Sequence, residues 1–164
     1  MSKSRRLRSG IDPTEAVIIP ARGLLKPAIG WREWVTFPKF DETRIKAKID
    51  TGARTSAIHA WNIEIITRRR QPFVSFLLHP HQRNNEVSVA CVAPLVGERT
   101  VRNSGGQAET RLFIRTTISI GGQSWPIELS LTRRDEMGFR MLLGRTALCG
   151  RYVVDPSRSF MLGK

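Results

Sequence analysis

The sequence predicts an all-β domain, a small barrel or sandwich carrying at most one or two short helices. Three observations predict it. The apolar runs are short and rich in Val, Ile and Leu. The run over residues 44–49 alternates apolar with polar residues at period two, the pattern of a half-buried strand. Turn signals recur at the short spacing typical of sandwiches and barrels. With 164 residues, 40% of them hydrophobic, the chain can bury the core of one domain without disulfides or metal.

In chain order, residues 1–14 (MSKSRRLRSGIDPT) read as a flexible basic tail, and residues 15–164 as the domain. A signal peptide is not expected, because Asp12, Pro13 and Glu15 interrupt the apolar stretch and residues 16–20 are too few. Nor is any apolar run long enough to span a membrane. Cys91 and Cys149 form no disulfide framework, so the expected setting is reduced and cytoplasmic. Strands are expected over residues 34–37, 44–49, 57–66, 73–79 and 87–93, the second running straight into Asp50. Residues 112–120 and 125–131 should form a hairpin across Gly121-Gly122, since paired glycines supply the positive φ of a tight turn. Pro126 belongs at an edge or strand start. Residues 141–143 read as a short buried strand, and 145–149 as one helical turn ending at Gly150. Residues 152–154 and 160–162 close the series of strands. Residues 68–71 and 81–86 are polar and read as loops. Residues 97–109 interrupt the pattern, and their Ser104-Gly105-Gly106 is a hairpin tip or a mobile lid.

The chain carries 27 Lys+Arg against 14 Asp+Glu, a formal net charge of +13. Such a field draws polyanions, whether nucleic acid, anionic membrane or acidic peptide, without choosing among them. Aromatic and basic residues do not interleave as in an RNA-binding sheet. Trp31, Trp34, Trp61 and Trp125 are scattered like core residues, so only non-specific nucleic-acid binding is expected. There is no His-Glu-x-x-His and no phosphate-cradling Gly-x-x-x-x-Gly-Lys, which excludes the helix-borne zinc peptidase site and the P-loop. His59, His79, His81 and Cys91 are zinc-type donors at a spacing that fits no motif, and no cofactor is expected.

The chemistry rests on Asp50-Thr51-Gly52-Ala53. A strand delivers a carboxylate to a tight turn, Gly52 admits close backbone approach, and Thr51 offers a hydroxyl and an N–H to fix the loop. Alone, the tripeptide reads more readily as a turn than as a site. A second segment changes that balance: about ninety residues later stands Met141-Leu142-Leu143-Gly144-Arg145, followed by a short helical stretch.

This pair of segments resembles the retropepsin-type aspartic proteases, in which the second segment passes through the loop of the first and packs behind the aspartate. From about Trp31 to Gly163 the strings KAKIDTGARTSAIHA, VRNSGGQAETR, PIELSLTRRDEMGFRMLLGRTAL and GRYVVDPSRSFMLG are similar to a bacterial family of retropepsin-like aspartic endopeptidase domains. That family also carries the name ATP-dependent zinc protease. The resemblance implies a small closed retropepsin-like barrel and a homodimer to which each chain gives one catalytic aspartate. Two carboxylates about 3 Å apart cannot both ionise; they share a proton and titrate as a pair. One takes a proton from the attacking water while the other donates to the peptide carbonyl. With a single Asp-Thr-Gly, one chain cannot do this alone.

By the same resemblance Asp50 is the acid/base, Thr51 orients its loop and Gly52 contacts substrate. The resemblance also makes Ser104, Gly105 and Gly106 a flap tip that closes over substrate and excludes water. Beside them, Ala53, Arg54, Arg102 and Arg145 are expected to bind substrate. Leu142, Leu143 and Gly144 give structural support. Viral retropepsins have an acidic residue where this chain has Arg54. Either Arg54, Arg145 and Arg102 form a carboxylate-binding subsite, or Arg54 turns to solvent or to Asp135 or Glu136. The family's context resembles that of partners of an ATP-grasp ligase that adds glutamates to a ribosomal protein. An acidic, glutamate-rich tail is the substrate this implies. The alternative is a non-catalytic module that holds an acidic partner or regulates that ligase.

Overall fold

The computed structural model describes residues 25–103, 105–133 and 138–163. Its elements are β1 (Ala28–Gly30), β2 (Arg32–Phe37), β3 (Thr43–Asp50), β4 (Ser56–His59), β5 (Trp61–Arg68), β6 (Gln71–Leu78), β7 (Val89–Arg102), β8 (Ala108–Ile120), β9 (Gln123–Thr132), β10 (Met141–Gly144), α1 (Arg145–Leu148) and β11 (Val153–Asp155). Nine strands form one sheet in the order β2-β3-β10-β4-β9-β8-β7-β6-β5. A pairing of Thr36 with Ser119 joins β2 to β8 and closes six of them into a barrel. The all-β expectation holds, with one short helix.

Alternation builds the barrel. In β3 Thr43, Ile45, Ala47 and Ile49 are buried while Arg44 and Lys48 are exposed, so one face of the strand enters the core. Val35, Phe37, Ile58, Ile118, Leu129 and Leu143 meet it there. Beyond β8 the sheet continues through β7 and β6 to β5, which forms its edge. Phe40 couples the two regions, stacking on Phe37 at 5.5 Å and meeting Phe76 edge-on at 5.6 Å.

Several expectations shift. The run 57–66 is two strands, because the chain leaves the barrel at Ala60, whose N–H donates to Thr132 O at 3.0 Å. The interruption expected over 97–109 shrinks to residues 103–107, since β7 passes a register shift between Leu95 and Gly97 and pairs on to Arg102. The polar loop at 68–71 is a two-residue turn, with Arg69 and Arg70 at φ 50° and 62° between paired Arg68 and Gln71. Gly121 and Gly122, at φ 56° and 80°, make the expected turn between β8 and β9. Pro126 lies in the half of β9 that has only β8 beside it, since β4 pairs from Leu129 onward.

Residues 160–162 are not a strand. Buried Glu33 holds them instead, its carboxylate accepting from Met161 N at 2.7 Å and Leu162 N at 3.4 Å, and also from Gly30 N at 2.8 Å. The sequence reading also lacked β1, which pairs parallel with β11. The basic tail over 1–14 lies outside the described residues. Among the described residues no helix is long and apolar enough to cross a membrane.

Candidate active site

Strand β3 ends at Asp50, and β10 lies parallel beside it with Gly144 opposite Asp50. On its other side β10 pairs antiparallel with β4, so the second segment threads between the strand before the Asp-Thr-Gly turn and the strand after it. Only glycine fits at the crossing: a Cβ on Gly144 would stand 2.5 Å from the carbonyl carbon and oxygen of Thr55. The two segments are sewn together. Arg145 N donates to Ala53 O at 2.9 Å, Thr146 N to Arg54 O at 3.1 Å, and Gly144 N to the buried Ser56 Oγ at 3.1 Å.

The turn itself presents the carboxylate. Asp50 is partly exposed, and its Oδ1 accepts from Gly52 N at 3.1 Å and Ala53 N at 3.2 Å. Its Oδ2 accepts no hydrogen bond among the described residues. Arg145 reaches up from α1, its Nη1 donating to Thr51 O at 2.9 Å and Gly52 O at 3.0 Å. The guanidinium thus fixes the turn from its own chain, and Thr51 and Gly52 stay exposed.

Arg54 and Arg102 do come together, on one cleft of about 760 Å³. Thr55, Phe113, Ile127 and Thr146 also line it, and Arg145 does not. Two further charged residues that the sequence reading did not single out line the same cleft: Arg99 and Glu128. Arg99 lies over the Phe113 ring at 4.6 Å and donates from Nη1 to Glu128 Oε2 at 2.8 Å. Arg115 approaches Glu128 Oε1 at 3.9 Å. The Arg99 hydrogen bond holds the Glu128 carboxyl below its usual range against the opposing effect of burial, with the charges of Arg99 and Arg115 adding to the lowering. Arg54 and Arg102 make no ion pair among the described residues. Register alone reveals this group, because Arg99 on β7 and Glu128 on β9 are brought together across β8.

Past Arg102 the hairpin tip is held by Asn103. Its N–H donates to Gln107 O at 3.0 Å, and its side-chain Oδ1 accepts from Gln107 N at 3.0 Å. Gly106 has φ 79°, and Gly105 is exposed beside it. Ser104 lies outside the described residues, as do Asp135 and Glu136, the alternative partners expected for Arg54.

His59 and His79 both lie against the Trp61 ring, at centroid distances of 3.8 and 3.9 Å, with the Arg140 guanidinium 4.9 Å from the same ring. His79 Nδ1 is 3.1 Å from Asn85 O. Cys91 is in the core, where burial pushes its thiol up to about 12. Among the described residues no three of His, Cys, Asp or Glu gather closely enough to hold a metal.

A family model described as retropepsin-like aspartic endopeptidase RimB matches residues 28–164. Curated relatives carry a different name. A protein of Shewanella pealeana named probable alpha-L-glutamate ligase is 47% identical over 136 residues, covering 83% of this chain and 30% of that protein. Proteins of the same name from Desulfotalea psychrophila (42% over 144 residues, 88% of this chain and 31% of that one) and Parasynechococcus marenigrum (46% over 138 residues, 84% and 30%) are similar in the same way. The chain therefore spans about 30% of the length of these relatives. A solved structure of a Legionella pneumophila protein of unknown function (DUF785) matches with a TM-score of 0.72 at 25% identity, over 83% of this chain and 98% of that one.

Proposed function

The chain belongs to the retropepsin-like aspartic endopeptidase family, and from that premise we propose that it is a homodimeric peptidase. Its water-activating site is two Asp50 carboxylates, one from each chain. The observation that carries the reading is the Asp50 turn. Strand β3 presents a carboxylate whose Oδ1 is occupied by Gly52 and Ala53 N–H groups and whose Oδ2 is open among the described residues. The chain holds one such turn and the chemistry needs two. Across a two-fold axis one Asp50 takes a proton from water as its oxygen attacks the peptide carbonyl carbon. The partner carboxyl, protonated, donates to the carbonyl oxygen. Return of a proton to the amide nitrogen then lets the C–N bond break. Arg145 and Thr51 position the turn, while residues 104–106 close over the peptide and exclude water.

The substrate we assign is an acidic, glutamate-rich peptide or protein tail. Arg54 and Arg102 offer guanidiniums with no carboxylate partner among the described residues, and the net charge of +13 steers anions toward them. The relatives' name supports this chemistry: a ligase that adds glutamate and a peptidase that cuts beside glutamate share one kind of tail. The two thiols, left as free cysteines, suit a reduced cytoplasmic setting.

The same relatives favour a second reading, in which the domain holds an acidic partner for a glutamate ligase without hydrolysis. One digest separates the two. The wild-type chain is expected to cleave a glutamate-rich peptide faster than a neutral one, with a rate that falls as salt rises. Asp50→Asn should lose at least about a hundredfold in rate. Tight binding of the acidic peptide by both proteins, with cleavage by neither, would establish the holding module instead.

A further inference from the structure

The cleft that carries Arg54 and Arg102 already contains a carboxylate. Glu128 stands in its wall, paired with Arg99 at 2.8 Å and flanked by Arg115 at 3.9 Å. The Arg99 guanidinium lies over the Phe113 ring at 4.6 Å, a cation–π contact that restricts it at the cleft wall. The pair is partly exposed, with 46% and 37% of the two side chains accessible, so an incoming peptide can reach both partners. A guanidinium fork fixed by an aromatic ring suits a bidentate carboxylate. The carboxylate it now holds belongs to the protein itself.

We infer that Glu128 is a specificity-determining residue that competes internally for this cleft. Its carboxylate occupies on Arg99 the place of a substrate carboxylate, and an acidic side chain binds by displacing it. This deepens the peptidase reading and rests on it for the substrate class. The consequence is discrimination by charge number. A lone carboxylate exchanges one ion pair for another and gains little. A peptide that also reaches Arg54 and Arg102 gains pairs that Glu128 alone cannot satisfy. The cleft therefore favours runs of acidic residues over isolated ones.

The test measures binding on the Asp50→Asn background, so that cleavage plays no part. Fluorescently labelled peptides with four consecutive glutamates, with one glutamate among neutral residues, and with none are titrated against Asp50→Asn and Asp50→Asn/Glu128→Gln at low salt. Removing the internal carboxylate should tighten the tetraglutamate and monoglutamate peptides by about two- to fivefold, the span of one exposed ion pair. It should leave the neutral peptide unchanged. Because both acidic peptides displace the same carboxylate, the ratio between them should stay nearly constant, set by the pairs made with Arg54 and Arg102. Glu128→Ala must give the same gain, and unchanged thermal melting of both variants excludes a folding artefact. Weaker acidic binding would show that Glu128 merely orients Arg99 and would overturn the inference. So would equal tightening of acidic and neutral peptides, or no acidic binding by any of these proteins. If the gain is found while the wild-type chain cuts nothing, the peptidase reading fails and the competition stands. If the wild-type chain cuts acidic peptide with no gain in the variants, only the competition fails.

Discussion

Cys91 and Cys149 are equivalent in the sequence, two thiols without a bridging pattern, and the fold separates them completely. Cys91 is buried in β7 and its thiol is pushed up to about 12 by burial; Cys149 follows α1 and is exposed. Only the thiolate is a nucleophile, so at pH 8 Cys91 is both inaccessible and protonated. Alkylation of the native protein at that pH is expected to label one thiol per chain promptly and the second only in denaturant. Rapid labelling of two would contradict the packing of β6 against β7. Glu33 shows how much of a residue's role was readable beforehand. The alternation of β2 puts it on the inner face with Val35 and Phe37, one residue before the strand expected over 34–37. Its partners were not legible, because the N–H groups of Met161 and Leu162 lie more than a hundred positions away and no local pattern connects them.

At the scale of elements, strands with clean alternation or strong turn chemistry were readable: β3, and the β8–β9 hairpin at Gly121-Gly122. The failures have physical causes. Ala57 to Ile66 is continuously strand-like in composition, and its division at Ala60 comes from the barrel seam, which is tertiary. The turn at Arg69-Arg70 places two bulky residues at positive φ, against the glycine or asparagine such a turn prefers, so nothing local announced it. Strand β7 carries Gly97 and a polar tail that read as loop, and its pairing with β8 overrides that propensity. The element on which the site depends most is β10. Gly144 passes so close to Thr55 that even a methyl group forces the Asp50 loop outward. Gly144→Ala should cost about 1–3 kcal/mol in denaturant unfolding. It should also lower peptidase turnover in the fraction that remains folded. An unchanged unfolding midpoint would mean that β10 does not thread the loop as described.

For the molecule as a whole, the Asp50 turn and its supporting segment were legible because each is a compact string: Asp50-Thr51-Gly52-Ala53 and Leu142-Leu143-Gly144-Arg145. The cationic cleft was legible in part. Arg54 and Arg102 were expected, whereas Arg99 and Glu128 join them only through strand register. Arg145, expected at the substrate, donates to the carbonyls of Thr51 and Gly52 in the turn. Every part of the functional account then depends on two chains sharing one site. The most direct measurement mixes wild-type protein with increasing Asp50→Asn at constant total concentration, allows subunits to exchange, and follows cleavage of a glutamate-rich peptide. If each site needs both aspartates, activity falls as the square of the wild-type fraction, because mixed dimers are dead. A linear fall would mean that each chain works alone, and the shared-carboxylate mechanism would be wrong.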